Sequence, residues 1–237
     1  MPADSFVVAE RFCGPPGAGN GGYVAGRLAS SFDGPVEVTL RKPVPLGRRL
    51  SIDRNNGAAL LRDGELLLAE ARPADPALEP PRAVSLAEAR VATTRFPRSV
   101  EHPLPGCFVC GTGRADGLRI FPGPVDDGLV VAAPWVPDES LRERGGSVSA
   151  EFVWAALDCT GAFAVNEPPR GLVLLGRMTA RVDGRPRCGE TCVVIGWPVA
   201  DEGRKLIAGT ALYAAAGRLL AIARATWIFV EGPHARA

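Results

Sequence analysis

The stretches AALLRDGELLLAEA (Ala58–Ala71) and ALYAAAGRLLAIAR (Ala211–Arg224) have the same pattern, two apolar runs separated by a glycine. Aligned without gaps, they match at Ala58 and Ala211, Gly64 and Gly217, Leu66 and Leu219, and Leu67 and Leu220. Two apolar runs on either side of a short turn with glycine are typical of a β-hairpin. The sequence therefore predicts the same hairpin twice, near the end of each half of the chain.

The segments that precede the two hairpins also correspond. Each half contains a helix candidate, Gly21–Ser31 or Ser149–Val165, followed by an alternating strand candidate, Val36–Leu40 or Met178–Val182. A break that contains proline and glycine follows each strand candidate. Because helix, strand, break and hairpin recur in the same order, we predict an internal repeat.

A polar, proline-rich stretch from Pro73 to Pro105 separates the two halves. Its composition is typical of a linker between structural units. We therefore predict an N-terminal unit over residues 1–84, a linker over residues 85–105 and a C-terminal unit over residues 106–237.

The second helix candidate is apolar on nearly all sides, which is typical of a helix that is buried on every face. The segments after it are mostly strand-like and joined by short turns, with no helices between them. This pattern favours an antiparallel sheet over a parallel α/β sheet. The predicted fold class is α+β, with each half a curled antiparallel sheet around a central helix and one sheet extending through both halves.

Asp158 is the only charged residue between Phe152 and Val165. An unpaired carboxylate in an apolar interior costs on the order of several kcal/mol, or it takes up a proton. From the residues alone, two interpretations remain open. The carboxyl is either structural, bonded to a backbone amide or to an arginine such as Arg177 or Arg181, or it is a general base or nucleophile in a cleft.

The sequence resembles hotdog-fold thioesterases in both halves. In the C-terminal half, Cys107–Gly111 (CFVCG), Gly117–Phe121 (GLRIF) and the helix with Ala155–Asp158 (AALD) are similar to phenylacetyl-CoA-type hotdog thioesterases. In the N-terminal half, Asn20–Gly26 (NGGYVAG) followed by Val36–Gly47 is similar to the double hotdog acyl-CoA thioesterases. The resemblance covers most of the chain outside the linker and the termini. It implies a tandem (double) hotdog fold and hydrolysis of an acyl-CoA or related thioester.

The resemblance also implies where a site would lie. In these families a helix begins at His-Gly-Gly and carries a catalytic Asp nine residues after that His, whereas here Ser149–Glu151 precedes Asp158 at that spacing. In the other half, Asn20–Gly22 keeps the paired glycines, but Ala29 occupies the position of the acid. Since the family's site lies between two units, the resemblance implies one composite site. Its predicted residues are Asp158 for catalysis and, for substrate binding, Asn20, Gly21, Gly22 and Tyr23.

The chemistry of such a site is consistent with thioester hydrolysis. Free N–H groups at a helix start can polarise a thioester carbonyl, and Asp158 can activate water or attack the carbonyl itself. The missing His-Gly-Gly before Asp158 keeps a second hypothesis open, a non-catalytic module that binds acyl thioesters. A hotdog dehydratase is disfavoured because that reaction uses a catalytic histidine, and the chain has only His102 in the linker and His234 in the tail.

No cofactor or metal is predicted. Gly17–Gly22 satisfies GxGxxG, but hairpins follow it rather than the βαβ unit of a dinucleotide-binding fold. Cys107 and Cys110 form one CxxC pair, and no second pair is evident to complete a zinc site.

Composition limits the partners and the location. A formal net charge of +1 argues against nucleic acid and anionic membranes, and no apolar run is long enough to cross a bilayer. The N-terminus lacks the pattern of a signal peptide, so a cytoplasmic location with six free thiols is expected. Because hotdog units pair their sheet edges, we also expect a homodimer or a higher homo-oligomer.

Overall fold

The computed structural model describes residues 4–96, 102–126, 128, 130–166 and 171–230. The α-helices of these residues are α1 (Gly21–Ala29), α2 (Leu86–Ala92) and α3 (Ala150–Val165). The strands are β1 (Asp4–Val7), β2 (Val36–Leu40), β3 (Arg49–Asn55), β4 (Ala58–Asp63), β5 (Leu66–Pro73), β6 (Gly123–Pro124), β7 (Val131–Trp135), β8 (Val173–Val182), β9 (Cys192–Glu202), β10 (Lys205–Ala214) and β11 (Leu219–Phe229). Within the described ranges, no helix combines the length and the apolar character that a membrane crossing requires.

All of these strands lie in one antiparallel sheet in the order β1-β3-β4-β5-β2-β8-β11-β10-β9-β7-β6. The order is symmetric about the contact between β2 and β8. Moving outward on one side the strands are β5, β4, β3 and β1, and on the other side they are β11, β10, β9 and β7, followed by the two-residue strand β6, which has no counterpart. The predicted large antiparallel sheet with few helices is confirmed, and it runs through both halves of the chain.

Both predicted hairpins are present. The turn between β4 and β5 contains Gly64 at φ +59°, and the turn between β10 and β11 contains Gly217 at φ +83°. Glycine adopts this left-handed conformation without the steric cost that a Cβ brings, which explains why both hairpins carry it. The strand predicted at Val36–Leu40 is β2, whereas β8 begins at Val173, earlier than the predicted Met178.

The helices α1 and α3 pack against each other in antiparallel directions. A Cβ added to Gly22 would lie 2.6 Å from the Cβ of Asp158, and one added to Gly26 would lie 2.6 Å from the Cα of Glu151. The Gly22–Gly26 spacing therefore gives α1 a face without side chains, onto which α3 fits closely. This packing places Asp158 beside the first turn of α1.

The predicted linker contains α2, which starts at a capping box. The hydroxyl of Ser85 accepts a hydrogen bond from the N–H of Glu88, and the carboxylate of Glu88 accepts one from the N–H of Ser85. Buried residues of α2 pack in a cluster with residues of β7 and β9, among them Ala89, Ala132 and Ile195. The segment therefore packs on the C-terminal half of the sheet, and the unit boundaries stay a prediction.

Candidate active site

Asp158 lies in the middle of α3 with 2% of its surface exposed. Its Oδ2 accepts a hydrogen bond from the N–H of Gly22 at 2.9 Å and another from Nδ2 of Asn20 at 2.8 Å. Both donors belong to the start of α1, where backbone N–H groups are unpaired within the helix and favour a negative charge. The structure thus brings together three of the predicted site residues across the two halves of the chain.

Asn20 connects the start of α1 to the acid. It is the N-cap of α1, and its Oδ1 accepts a hydrogen bond from the N–H of Tyr23 at 2.9 Å. Its Nδ2 donates to Asp158 and also lies 3.9 Å from Sγ of Cys107. One side chain therefore caps the helix and orients the carboxylate.

Replacing Asn20 should separate these two roles. We expect Asn20→Ala to lower the free energy of unfolding by about 3 kcal/mol, since a lost N-cap costs about 1 kcal/mol and a lost donor to a carboxylate about 1.5–3 kcal/mol. Asn20→Ser keeps a capping hydroxyl but not the amide donor, so it should recover about 1 kcal/mol. Urea unfolding of the three proteins measures both effects. Equal stability of the Ala and Ser variants would show that the cap contributes nothing here.

Gly21 and Tyr23 are not bonded to the carboxyl in the described structure. Gly21 is enclosed by apolar side chains, because an added Cβ would lie 2.9 Å from Cδ2 of Leu175 and 3.1 Å from Cδ1 of Leu40. The ring of Tyr23 stacks on Phe12 at a centroid distance of 4.2 Å, and burial raises the pKa of Tyr23. Packing accounts for the position of the Tyr23 ring.

Burial dominates the electrostatics of Asp158. It raises the pKa of Asp158 to about 7, while the hydrogen bonds from Gly22 and Asn20 act in the opposite direction. The negative charge of Cys107 adds to the increase. Among the described residues, Oδ1 of Asp158 has no hydrogen-bond partner. One carboxylate oxygen is thus held by α1, and the other is buried without a partner among the described residues.

The arginines considered as structural partners of Asp158 form other ion pairs. Arg177 lies 3.7 Å from Glu37, and Arg181 lies 3.0 Å from Asp183. If the carboxyl of Asp158 is structural, its partner is therefore the backbone N–H of Gly22 and not one of these arginines.

The opposite end of the helix pair differs in its chemistry. The buried Ala29 stands at the position equivalent to the acid, and Ser149 caps α3 without a side-chain hydrogen bond. Glu151 is in the first turn of α3, with its backbone against Gly26. A single composite site remains a prediction.

A cluster of three cysteines, which we call the cysteine cluster (Cys107, Cys110 and Cys159), lies next to the carboxyl. Its sulfur atoms all lie within 4.8 Å of one another. Hydrogen bonds from the thiols of Cys110 and Cys159 hold the pKa of Cys107 well below its usual range, and N–H groups of its own loop add to this effect. Sequence reasoning considered only the CxxC pair. The missed signal was a cysteine at 159, directly after the buried acid.

The disfavoured dehydratase depends on a catalytic histidine, and the chain has two. His102 is buried against Phe96 and Phe163, and burial lowers its pKa. His234 lies outside the described residues. The structure thus gives no support to a histidine-dependent dehydratase.

Two surface clefts adjoin Arg119, whose backbone has φ +57°. The larger cleft has a volume of about 340 Å³ and is lined by residues that include Trp135 and Asp138. The smaller, of about 210 Å³, is lined by residues that include Arg114. Asp158 lines neither cleft.

The strand order of the antiparallel sheet defines a class of fold, and solved structures with a similar fold exist. A protein from Novosphingobium aromaticivorans that carries the provisional name thioesterase matches with a TM-score of 0.66 and 14% identity, over 98% of this chain and 100% of that chain. The tesB protein of Mycobacterium avium subspecies paratuberculosis matches with a TM-score of 0.62 and 14% identity, over 96% of this chain and 93% of that chain. A Lactobacillus plantarum protein provisionally named oleoyl thioesterase matches with a TM-score of 0.56 and 9% identity, over 97% and 96%.

At the level of fold, these matches confirm the resemblance to double hotdog thioesterase-like proteins. No protein-family model matches the sequence, and no curated protein matches it. At these identities the likeness establishes the fold, and function has to be argued from the site.

Proposed function

We propose that the chain is a tandem pair of hotdog units, residues 1–84 and 106–237, joined by residues 85–105. The strand order supports this division, because it is symmetric about the contact between β2 and β8. The order of elements along the chain supports it as well, since α1 precedes β2–β5 as α3 precedes β8–β11. A cytoplasmic location and a homodimer or larger homo-oligomer remain predictions.

We further propose that the protein hydrolyses an acyl-CoA or acyl-carrier thioester at one composite site between the units. The observation that carries this proposal is the contact of Asp158, from one unit, with the helix-start N–H of Gly22, from the other. An acid and a polarised N–H group are the two elements that thioester hydrolysis requires besides water. The provisional thioesterase names of two proteins with this fold support the same reaction class.

In the proposed reaction, the N–H of Gly22 and the carboxyl of Asp158 have different roles. The substrate carbonyl oxygen would take the N–H of Gly22 in place of Oδ2 of Asp158, and this donor would stabilise the oxyanion. The carboxylate would then either accept a proton from the attacking water or attack the carbonyl itself. Its Oδ1, which is buried and has no partner among the described residues, is the acceptor that this step would use.

The proposed substrate-binding residues contribute in two ways. Asn20 and Gly22 offer polar donors at the carboxyl. Gly21 and Tyr23 belong to the apolar surroundings of the same helix start, which suits an acyl chain better than a charged group.

One observation favours a second candidate function, an acyl-thioester-binding module without catalysis. Oδ2 of Asp158 already accepts both donors at the start of α1, and the carboxyl is buried. A carboxyl held in this way can be purely structural, because its hydrogen bonds offset part of the cost of burial. Catalysis requires that the substrate open this contact.

Incubation with a panel of acyl-CoAs of different chain length separates the two candidates. Release of free CoA thiol, followed with a thiol-reactive dye, is expected for at least one member of the panel. Calorimetric titration with the same compounds reports binding independently of turnover. Saturable binding without thiol release would favour the module, and neither binding nor release would contradict both functions.

A further inference from the structure

The cysteine cluster has the composition of a soft-metal site. Its three sulfur atoms belong to two separate segments, the Cys107–Gly111 loop and helix α3, and meet within 4.8 Å. Sγ of Cys107 lies 3.7 Å from Sγ of Cys159. All three thiols are free and at most 8% exposed. Sulfurs from positions up to 52 residues apart therefore meet at one place in the core.

The loop that supplies two of the sulfurs closes in a tight turn. The N–H of Gly111 donates to the carbonyl of Cys107 at 2.9 Å, and a Cβ at Gly111 would lie 2.4 Å from that oxygen. Only glycine fits at position 111, so the turn brings Cys107 and Cys110 together on one short loop. A metal would bind these sulfurs as thiolates.

Neighbouring loop segments hold this turn in place. The N–H of Phe108 donates to the carbonyl of Cys13 at 2.8 Å, and the N–H of Ile120 donates to the carbonyl of Val109 at 3.0 Å. These backbone hydrogen bonds hold the loop on both sides. Less conformational entropy is therefore lost when a ligand binds to it.

The distance between Sγ of Cys107 and Sγ of Cys159 is compatible with zinc. With Zn–S bonds of about 2.3 Å in a tetrahedral site, neighbouring sulfurs lie about 3.8 Å apart. The observed 3.7 Å between Cys107 and Cys159 agrees with this value. A disulfide would instead require the two sulfurs to approach to about 2.05 Å.

We propose that Cys107, Cys110 and Cys159 bind a zinc ion through three thiolates, with a water molecule as the fourth ligand. Among the described residues, no further Cys, His, Asp or Glu ligand atom joins the group within 4.8 Å. His102 is unsuitable because its Nδ1 accepts a hydrogen bond from the N–H of Leu104, which leaves the proton of the neutral ring on Nε2. This site departs from the sequence-based prediction of no metal, and it does not depend on thioester hydrolysis.

Metal analysis of the full-length chain tests the proposal without an activity assay. Protein purified from zinc-supplemented medium should contain about one zinc ion per chain, as measured by inductively coupled plasma mass spectrometry. Reduced, metal-free protein titrated with Co²⁺ should develop the charge-transfer absorption of cobalt thiolates. Both measurements use the wild-type chain, so the result does not depend on whether a variant folds.

Cysteine substitutions test whether the bound zinc and the cobalt absorption come from the cysteine cluster. Cys159→Ser should lose the bound zinc and most of the cobalt absorption, whereas Cys192→Ser, which alters a buried cysteine outside the cluster, should keep both. Wild-type protein with neither zinc nor a cobalt–thiolate band would overturn the proposal. Retention of the full cobalt band by Cys159→Ser would overturn it as well.

Discussion

The substitution Asp158→Asn should reduce thioester hydrolysis by about 10²–10⁴-fold, the contribution that a positioned acid–base group makes to a proton transfer. The amide is nearly the same size as the carboxyl and can still accept hydrogen bonds from Gly22 and Asn20. The fold should therefore be retained, and the loss should appear in kcat rather than in substrate affinity. Initial rates with the best acyl-CoA of the panel, together with a circular dichroism spectrum, measure both expectations.

A matched control exists on the same helix. Glu151 is the acidic residue in the first turn of α3, at the opposite end of the helix contact from Asp158. Glu151→Gln should hydrolyse the substrate at the wild-type rate if only one composite site is active. Wild-type turnover by Asp158→Asn would contradict the assignment of the catalytic residue. A comparable loss in both variants would contradict the single site.

The fold could be predicted where glycine residues indicate the turns between strands. Glycine between two apolar runs identified both hairpins, because only a few backbone conformations connect adjacent strands tightly. The start of β8 was missed, since Val173–Leu175 is continuously apolar and such a run has no alternation that distinguishes a strand. The strand β7 escaped prediction for a related reason, as its Pro134 weakens the strand signal.

The site could be predicted only in part. Asp158 was identified because burying a charge costs free energy, and a single acidic residue in an apolar helix is visible in the sequence. Cys159 was overlooked although it directly follows this acid, because cysteine is commonly buried and behaves as a small apolar residue. Its contact with Cys107 joins positions 52 residues apart, and such a pairing is set by tertiary packing rather than by local pattern. The double role of Asn20 as helix cap and carboxylate donor depends on tertiary packing in the same way.

Gly22→Ala provides the most severe test of the contact between α1 and α3. Alanine is the better helix former by about 1 kcal/mol, so the substitution would stabilise an isolated helix. Here the new Cβ would lie 2.6 Å from the Cβ of Asp158 and 2.7 Å from the carbonyl oxygen of Trp154. The helices would have to separate, because backbone atoms of α3 cannot rotate away as the end of a side chain can.

We therefore expect Gly22→Ala to lower the free energy of unfolding by about 3 kcal/mol. It should also abolish hydrolysis, because separated helices move the carboxyl of Asp158 away from the N–H of Gly22, the donor proposed to hold the oxyanion. Gly21→Ala is the matched control, since its Cβ would meet mainly the side chains of Leu175 and Leu40, which can adjust. That variant should lose clearly less stability in urea unfolding than Gly22→Ala does. Wild-type stability and turnover in Gly22→Ala would mean that the close approach of the two helices neither supports the fold nor positions the acid.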